Sequence, residues 1–176
     1  MASAMGASLL MMVAALPKTR SGSDDDRAAL AASAKALVGL QQQLIEAIDA
    51  DSVAYDEVVA AYRLPKASEA DQAARKAAIQ RALRNATDVP LGVMRLSVLT
   101  LRQAAAIAEH GHRAAASDVG VAIGLLSAGA RGAGLNVAIN VGSLANGSYV
   151  EAVKAETDRL AAETSQLSDA AQASLG

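Results

Sequence analysis

The chain has no cysteine, no phenylalanine and no tryptophan, and it carries only three tyrosines and three prolines in 176 residues. Without cysteine there are no disulfides, no thiolate nucleophile and no cysteine-ligated metal. With 2% aromatic residues there is almost nothing for nucleobases to stack on, and a net charge of −2 with no basic cluster in the sequence leaves no footprint for nucleic acid. Imidazole is available only at His110 and His112. The two stand in a loop-like His-Gly-His with no third ligand beside them, so surface histidines and no metal are expected.

What is abundant is alanine, about a quarter of all residues, within an apolar content of 52% and a charged content of 19%. Alanine is the strongest helix former, and β-branched and aromatic strand formers are sparse. The composition predicts a soluble all-α fold, one domain over residues 1–176, with closely approached helices and too few bulky side chains per monomer to forgo an oligomer. Met1 to Leu16 is apolar but lacks a preceding Lys or Arg and a small-x-small cleavage site, so it reads as a core helix rather than a signal. It is also shorter than a membrane span. Nothing else directs the chain elsewhere, which points to the cytoplasm and to no membrane partner.

Punctuation divides the chain into five or six antiparallel helices, a bundle with short connections. Pro17 stops the first. Ser21-Gly22-Ser23 turns into Asp24, Asp25 and Asp26, a solvated acidic helix start. An apolar stripe then runs through Leu30, Leu37, Leu44 and Val58 to Leu64-Pro65, with a possible joint at Asp51-Ser52. Ser68 with Asp71 forms a capping-box variant, and Asp88-Val89-Pro90 predicts a break before a further helix from Leu91 to about Glu109. Ser117 is the expected N-cap of an apolar segment to about Leu144, Ser148 that of the last helix, and the tail after Leu167 is expected to fray.

Polar residues inside apolar runs are the chemical candidates. Asp118, Asn136 and Asn140 interrupt a segment apolar enough for burial, where an amide or carboxylate without partners costs several kcal/mol. In the same segment Gly120, Gly124, Ala128 and Gly132 recur every four residues and predict a smooth face for close helix contact. Asp118 and Asn136 are eighteen residues apart, so they share an azimuth yet stand about 27 Å apart along a straight helix. They belong to different sites unless a two-fold related subunit brings the opposite end alongside. A second cluster places Asp51, Tyr55 and Tyr62 on one helical stripe, with Arg63 and Lys66 at its end. A carboxylate and a phenol suit proton handling, and two cations suit an anionic ligand tail.

The runs DSVAYDEVVAAYRLPK, NATDVPLGV and SDVGVAIGLLSAGARGAGLNVAINVGSL resemble the cyclodeaminase/cyclohydrolase family, in order and over nearly the whole chain. That resemblance implies a homodimeric all-α domain acting on a tetrahydrofolate derivative as substrate, with or without a polyglutamyl tail, and needing no metal. The leading implied reaction closes 5-formiminotetrahydrofolate to 5,10-methenyltetrahydrofolate with loss of ammonia. The other hydrolyses the methenyl bridge to 10-formyltetrahydrofolate, and a catalytically silent helical assembly protein is the remaining alternative. It further implies Asp118 and Asp51 as catalytic residues, with Tyr55, Tyr62, Arg63, Lys66, Asn136 and Asn140 binding substrate. Members of the family carry a Pro-Gly-Gly-Gly-Ser-like segment before the first helix, whereas this sequence opens Met1-Ala2-Ser3-Ala4; a domain lacking that loop is the expectation. The turn before Asp118 reads GHRAAA where the resemblance would place an asparagine.

Overall fold

A computed structural model describes residues 1–175. Five α-helices follow one another: α1 (Ala2–Ala14), α2 (Asp24–Tyr62), α3 (Glu69–His110), α4 (Ala116–Val141) and α5 (Gly147–Ala173), with a 3-10 turn Arg113–Ala115 leading into α4. The all-α expectation holds, and among the described residues the only extended pairing is an isolated bridge between Thr19 and Gly111. α2 and α3 form a long hairpin; α4 packs against α3, α1 and α5. α3 and the run Arg113–Val141 are long and apolar enough to cross a membrane by length and composition. In this fold they supply the faces on which the other helices pack.

The core is aliphatic throughout. Leu10, Leu37, Leu101, Ile107, Ile123 and Leu126 bury one end of the bundle, and Leu91, Met94, Val98, Val137 and Leu160 bury the other. Leucine and alanine fill space only where helix axes come close, and α1 crosses α4 at near contact. A Cβ on Gly129 would sit 2.0 Å from the Ser3 hydroxyl, and one on Gly6 would sit 2.9 Å from the Ala122 carbonyl. The stripe expected to make this contact does not. Cβ atoms on Gly124 or Gly132 would meet nothing within 4 Å, and Gly124, Ala128 and Gly132 are exposed. They share an outward face of α4 with Leu135 and Ile139, the latter 73% exposed. A four-residue period locates a face but not the side on which the rest of the chain lies.

Several local expectations are corrected. α2 runs through Asp51-Ser52 without a joint. α3 runs through Pro90 as one helix. α4 begins ahead of Ser117, with no side-chain cap, because the 3-10 turn feeds directly into it. Asn146, not Ser148, caps α5 by accepting from the Tyr149 amide. α5 continues to Ala173, held by buried Ser168 and Ala171. The Ser68–Asp71 capping box forms as expected, and Ser23 caps α2.

The acidic start of α2 is not simply solvated, and His110 is not a free loop residue. Asp26 is buried and accepts from the Ser21 amide and hydroxyl, both at 2.7 Å, while its other oxygen lies 2.9 Å from His110 Nδ1 at the end of α3. The Ser21 amide, then His110, the Ser21 hydroxyl and Thr19 hold this carboxyl far below the usual carboxylate range against the opposing effect of burial. Arg20 closes the same corner, donating to the carbonyls of Ala108 and Ser174.

Candidate active site

Pro90 explains the geometry of the chain's central cavity. A proline in a helix lacks the N–H that would bond the carbonyl four residues back, here that of Ala86. Asn140 on α4 fills the gap: its Nδ2 donates to the Ala86 carbonyl at 2.7 Å. The helix therefore survives its proline, and α4 is pinned to α3 at this level. Asn140, predicted to bind substrate, spends a donor on holding the backbone.

One turn earlier on α4, Asn136 borders a cavity of about 390 Å³. Asp51 and Ser52 of α2, Pro90 of α3, Gly129 and Gly132 of α4, and the first turn of α1 from Met1 to Ala4 line the rest of it. By sequence Asp51 and Asn136 fall in separate clusters; the fold brings both to one cavity. Asp51 is solvent-accessible, with no hydrogen bond or ion pair among the described residues, so its carboxylate is free to exchange a proton with a ligand. Ser52, Ser3 and the start of α1 were not anticipated. Ser52 adjoins Asp51 in sequence, but only the α1–α4 crossing at Gly129 brings Ser3 here.

The remaining candidates lie elsewhere. Asp118 is half-buried in the first turn of α4, far from Asn136 along the same helix. Tyr55 is 68% exposed and does not line the cavity. Tyr62 ends α2, with its ring 5.6 Å from the Arg75 guanidinium. Arg63 caps α2, and Lys66 borders a different cavity. Among the described residues no three His, Asp or Glu side chains gather in a metal-holding group.

A larger cavity of about 570 Å³ lies between α4 and α5 beside Met94, but most of its hydroxyls are already engaged. Thr157 and Thr164 donate to the carbonyls of Val153 and Leu160 in their own helix, and Ser168 pairs with Ser127. Arg131 and Asp169 stand at its rim. Largely apolar walls with most hydroxyls spent suit the burial of apolar surface, whereas the other cavity sets the Asp51 carboxylate and the Asn136 amide around one space and is the chemical candidate.

The arrangement of helices defines a class of protein. A solved structure of formiminotetrahydrofolate cyclodeaminase from Thermotoga maritima shares the fold with a TM-score of 0.87 at 24% identity, over 99% of this chain and 83% of that one. The chain belongs to the formiminotransferase-cyclodeaminase family, whose model matches residues 1–159. It is 37% identical over 166 residues to a methenyltetrahydrofolate cyclohydrolase of Methylorubrum extorquens, covering 94% of this chain and 80% of that protein. It is 29% identical over 160 residues to a formimidoyltransferase-cyclodeaminase of Sus scrofa, covering 91% of this chain but 30% of that longer protein. These relatives carry the names of enzymes.

Proposed function

We propose that the chain is a folate one-carbon enzyme that works at the Asp51–Asn136 cavity, as a methenyltetrahydrofolate cyclohydrolase. The observation that favours this reaction is the 37% identity to a cyclohydrolase matched over most of both chains. Cyclodeamination of 5-formiminotetrahydrofolate, the leading expectation from sequence, is the second reading, favoured by the cyclodeaminase relatives.

The two reactions share one centre. In hydrolysis, water adds to the methenyl carbon and gives up a proton; the carbon then bears N5, N10 and a hydroxyl, and the bond to N5 breaks as N5 takes a proton. In cyclodeamination, N10 adds to the formimino carbon and loses its proton; the carbon bears N5, N10 and an amino group, which leaves as ammonia after protonation. A carboxylate that accepts a proton from the attacking group and returns one to the departing group serves both, and Asp51 is placed for this. Asn136, supplied to the same cavity by α4, orients the reacting carbon through hydrogen bonds.

Asp118 enters through a second copy. The exposed face of α4 carries Gly124, Ala128, Leu135 and Ile139 without a partner from its own chain. Asp118 and Asn136 flank that face on the same side, and their midpoint falls at Ser127 beside Ala128. An antiparallel two-fold pairing of α4 about this point sets Asp118 of the partner subunit beside Asn136. A cytoplasmic homodimer with shared sites is therefore part of the proposal, and Asp118→Asn retaining full turnover in a folded dimer would remove that role.

The test is spectrophotometric. Purified protein is incubated separately with 5,10-methenyl- and 5-formiminotetrahydrofolate, and the methenyl absorbance is followed. A fall with the first beyond the uncatalysed rate supports the cyclohydrolase, and a rise with the second supports the cyclodeaminase. No change with either leaves the non-catalytic assembly protein as the reading.

A further inference from the structure

The hydrogen bonds around Pro90 do more than repair α3. Asn140 Nδ2 donates to the Ala86 carbonyl at 2.7 Å, and at the neighbouring position Asn85 Nδ2 donates to Glu57 Oε2 on α2 at 2.8 Å. The second contact is solvent-exposed and holds less than the first. Together they cross-link α2, α3 and α4 at one level. These are the three helices that bring Asp51, Pro90 and Asn136 to the cavity.

Helix rise gives the height of that cross-link above the cavity. Asp51 precedes Glu57 by six residues on α2, Pro90 follows Ala86 by four on α3, and Asn136 precedes Asn140 by four on α4. These steps amount to about 9, 6 and 6 Å along the respective axes. α3 runs antiparallel to α2 and to α4, so all three steps point the same way. The cross-link is a brace across three walls, between one and two turns from the space they enclose.

A second tie fixes the register. Further from the cavity, Gln80 of α3 donates to the Ser143 carbonyl at 3.0 Å and accepts from the Ala145 amide at 2.8 Å. Ile79 and Leu83 bury apolar surface in the same region, with Leu144 packed against them. Two ties at different heights oppose both sliding of α4 along α3 and rotation about its own axis. A slide of one residue would move Asn136 by about 1.5 Å.

Pro90 makes this bond available. An uninterrupted helix would satisfy the Ala86 carbonyl from within α3, whereas proline crowds the carbonyl four residues back and offers it no N–H. The carbonyl is left as an acceptor for another helix, and the bond that replaces the internal one carries positional information from α3 to α4. Asn140 is half-buried and does not line the cavity. Its effect on chemistry therefore passes through the wall it holds.

We propose that Asn140 is a positioning residue for the reaction at the Asp51 cavity: by holding the Ala86 carbonyl it sets the register of α4 on α3, and with it the separation of the Asp51 carboxylate and the Asn136 amide. The proposal rests on the folate reading above for the reaction, and it replaces the substrate-binding role that the resemblance implies for Asn140. The reacting carbon must sit between a proton acceptor and an orienting amide, and displacing one of them by about 1 Å can cost on the order of 100-fold in rate. Contacts to the rest of the substrate change less, so the loss falls on kcat rather than on KM.

The test measures kcat and KM with whichever of the two folates is turned over, in the wild type, Asn140→Ala, Pro90→Ala, the double variant and Ser168→Ala, with circular dichroism and melting curves confirming the fold of each. Asn140→Ala is expected to lower kcat about tenfold with KM within about twofold of wild type. In the Pro90→Ala background a backbone N–H serves Ala86, so the same substitution should lower kcat by less than about threefold, whatever the activity of Pro90→Ala itself. Ser168→Ala removes the hydroxyl pair with Ser127 between α5 and α4 and is expected to keep the wild-type kcat, which separates register at the cavity from stability at large. An unchanged kcat in Asn140→Ala overturns the proposal. So does an equal loss in both backgrounds with a raised KM, the result a direct substrate contact would give.

A distance measurement reads the brace without turnover. The chain has no cysteine, so Asp56→Cys on α2 and Ala138→Cys on α4, both at exposed positions, accept one nitroxide each. Pulsed electron paramagnetic resonance, on labelled protein diluted with unlabelled chain, is expected to give a narrow intrachain distance distribution that broadens or shifts on Asn140→Ala. A distribution that does not respond overturns the brace. If it responds while the wild type turns over neither folate, the brace stands and the enzymatic reading fails alone.

Discussion

Asp26 and Asp51 belong to the same helix and meet opposite fates. Asp26, in the first turn of α2, is buried and engaged by the Ser21 amide and hydroxyl and by His110. Asp51, further along α2, has solvent and a cavity in front of it and no hydrogen-bond or ion-pair partner among the described residues. A carboxylate surrounded by donors has its ionised form fixed and ties chain segments together; one without donors remains available to a ligand. The difference arises from what α3 and α1 bring alongside, so residue type alone does not distinguish a structural acid from a chemical one.

That contrast is most sharply tested by removing each charge with the same isosteric change. Asp51→Asn is expected to lower kcat/KM for the methenyl substrate by about 100-fold or more, with an unchanged melting temperature. A rate within a few-fold of wild type would place the proton-transfer group elsewhere. Asp26→Asn is expected to do the reverse, lowering the melting temperature while specific activity of the folded fraction is retained. Loss of activity without loss of stability would break the division of labour between the two acids.

Acid titration sharpens the same pair. The folded-state pKa of Asp26 lies below its unfolded value, so the unfolded chain takes up the proton first as pH falls. Its stabilisation is complete above the ordinary carboxylate range near pH ~4 and drains away below it, toward the depressed folded value. Glu156 and Glu163, lowered first by their hydrogen bonds to Arg95 and Arg102, add to the same acid limb. Denaturant midpoints measured from pH 7 down to pH 3 should therefore fall less steeply in Asp26→Asn than in the wild type. Parallel slopes would mean that Asp26 titrates alike folded and unfolded.

The parts of the fold set by local chemistry were legible in the sequence. Ser68 with Asp71, Ser23 ahead of three aspartates, and the alanine-rich periodicity each act within a few residues, and the helices they predict are present. Errors arose where a partner distant in sequence decides the outcome. His110 reaches Asp26 across 84 positions, and neither residue's neighbours announce it. The glycine stripe of α4 was visible, but α1 crosses at Gly129 instead, because Ser3 needs a position with no Cβ. For the candidate site, Asn136 stands out in the sequence as a polar interruption of an apolar segment, and Asp51 as a carboxylate on one stripe with two tyrosines. Ser3 does not, since it reaches its cavity only through the α1–α4 crossing.

Pro90 carries the smallest effect and the most specific test of long-range control. Local rules end a helix before this proline, yet α3 continues because Asn140 satisfies the Ala86 carbonyl. Asn140→Ala should destabilise the protein by about 1 kcal/mol, the cost of a part-buried acceptor left without its donor. Pro90→Ala restores a backbone N–H to the same carbonyl, so the two substitutions are expected to be non-additive. In the Pro90→Ala background, Asn140→Ala should cost less than it does alone, as read from urea midpoints of the four proteins in the cycle. Full additivity would show that Asn140 stabilises α4 by other contacts, and the wall of the Asp51 cavity that Pro90 and Asn136 share would then need a different support.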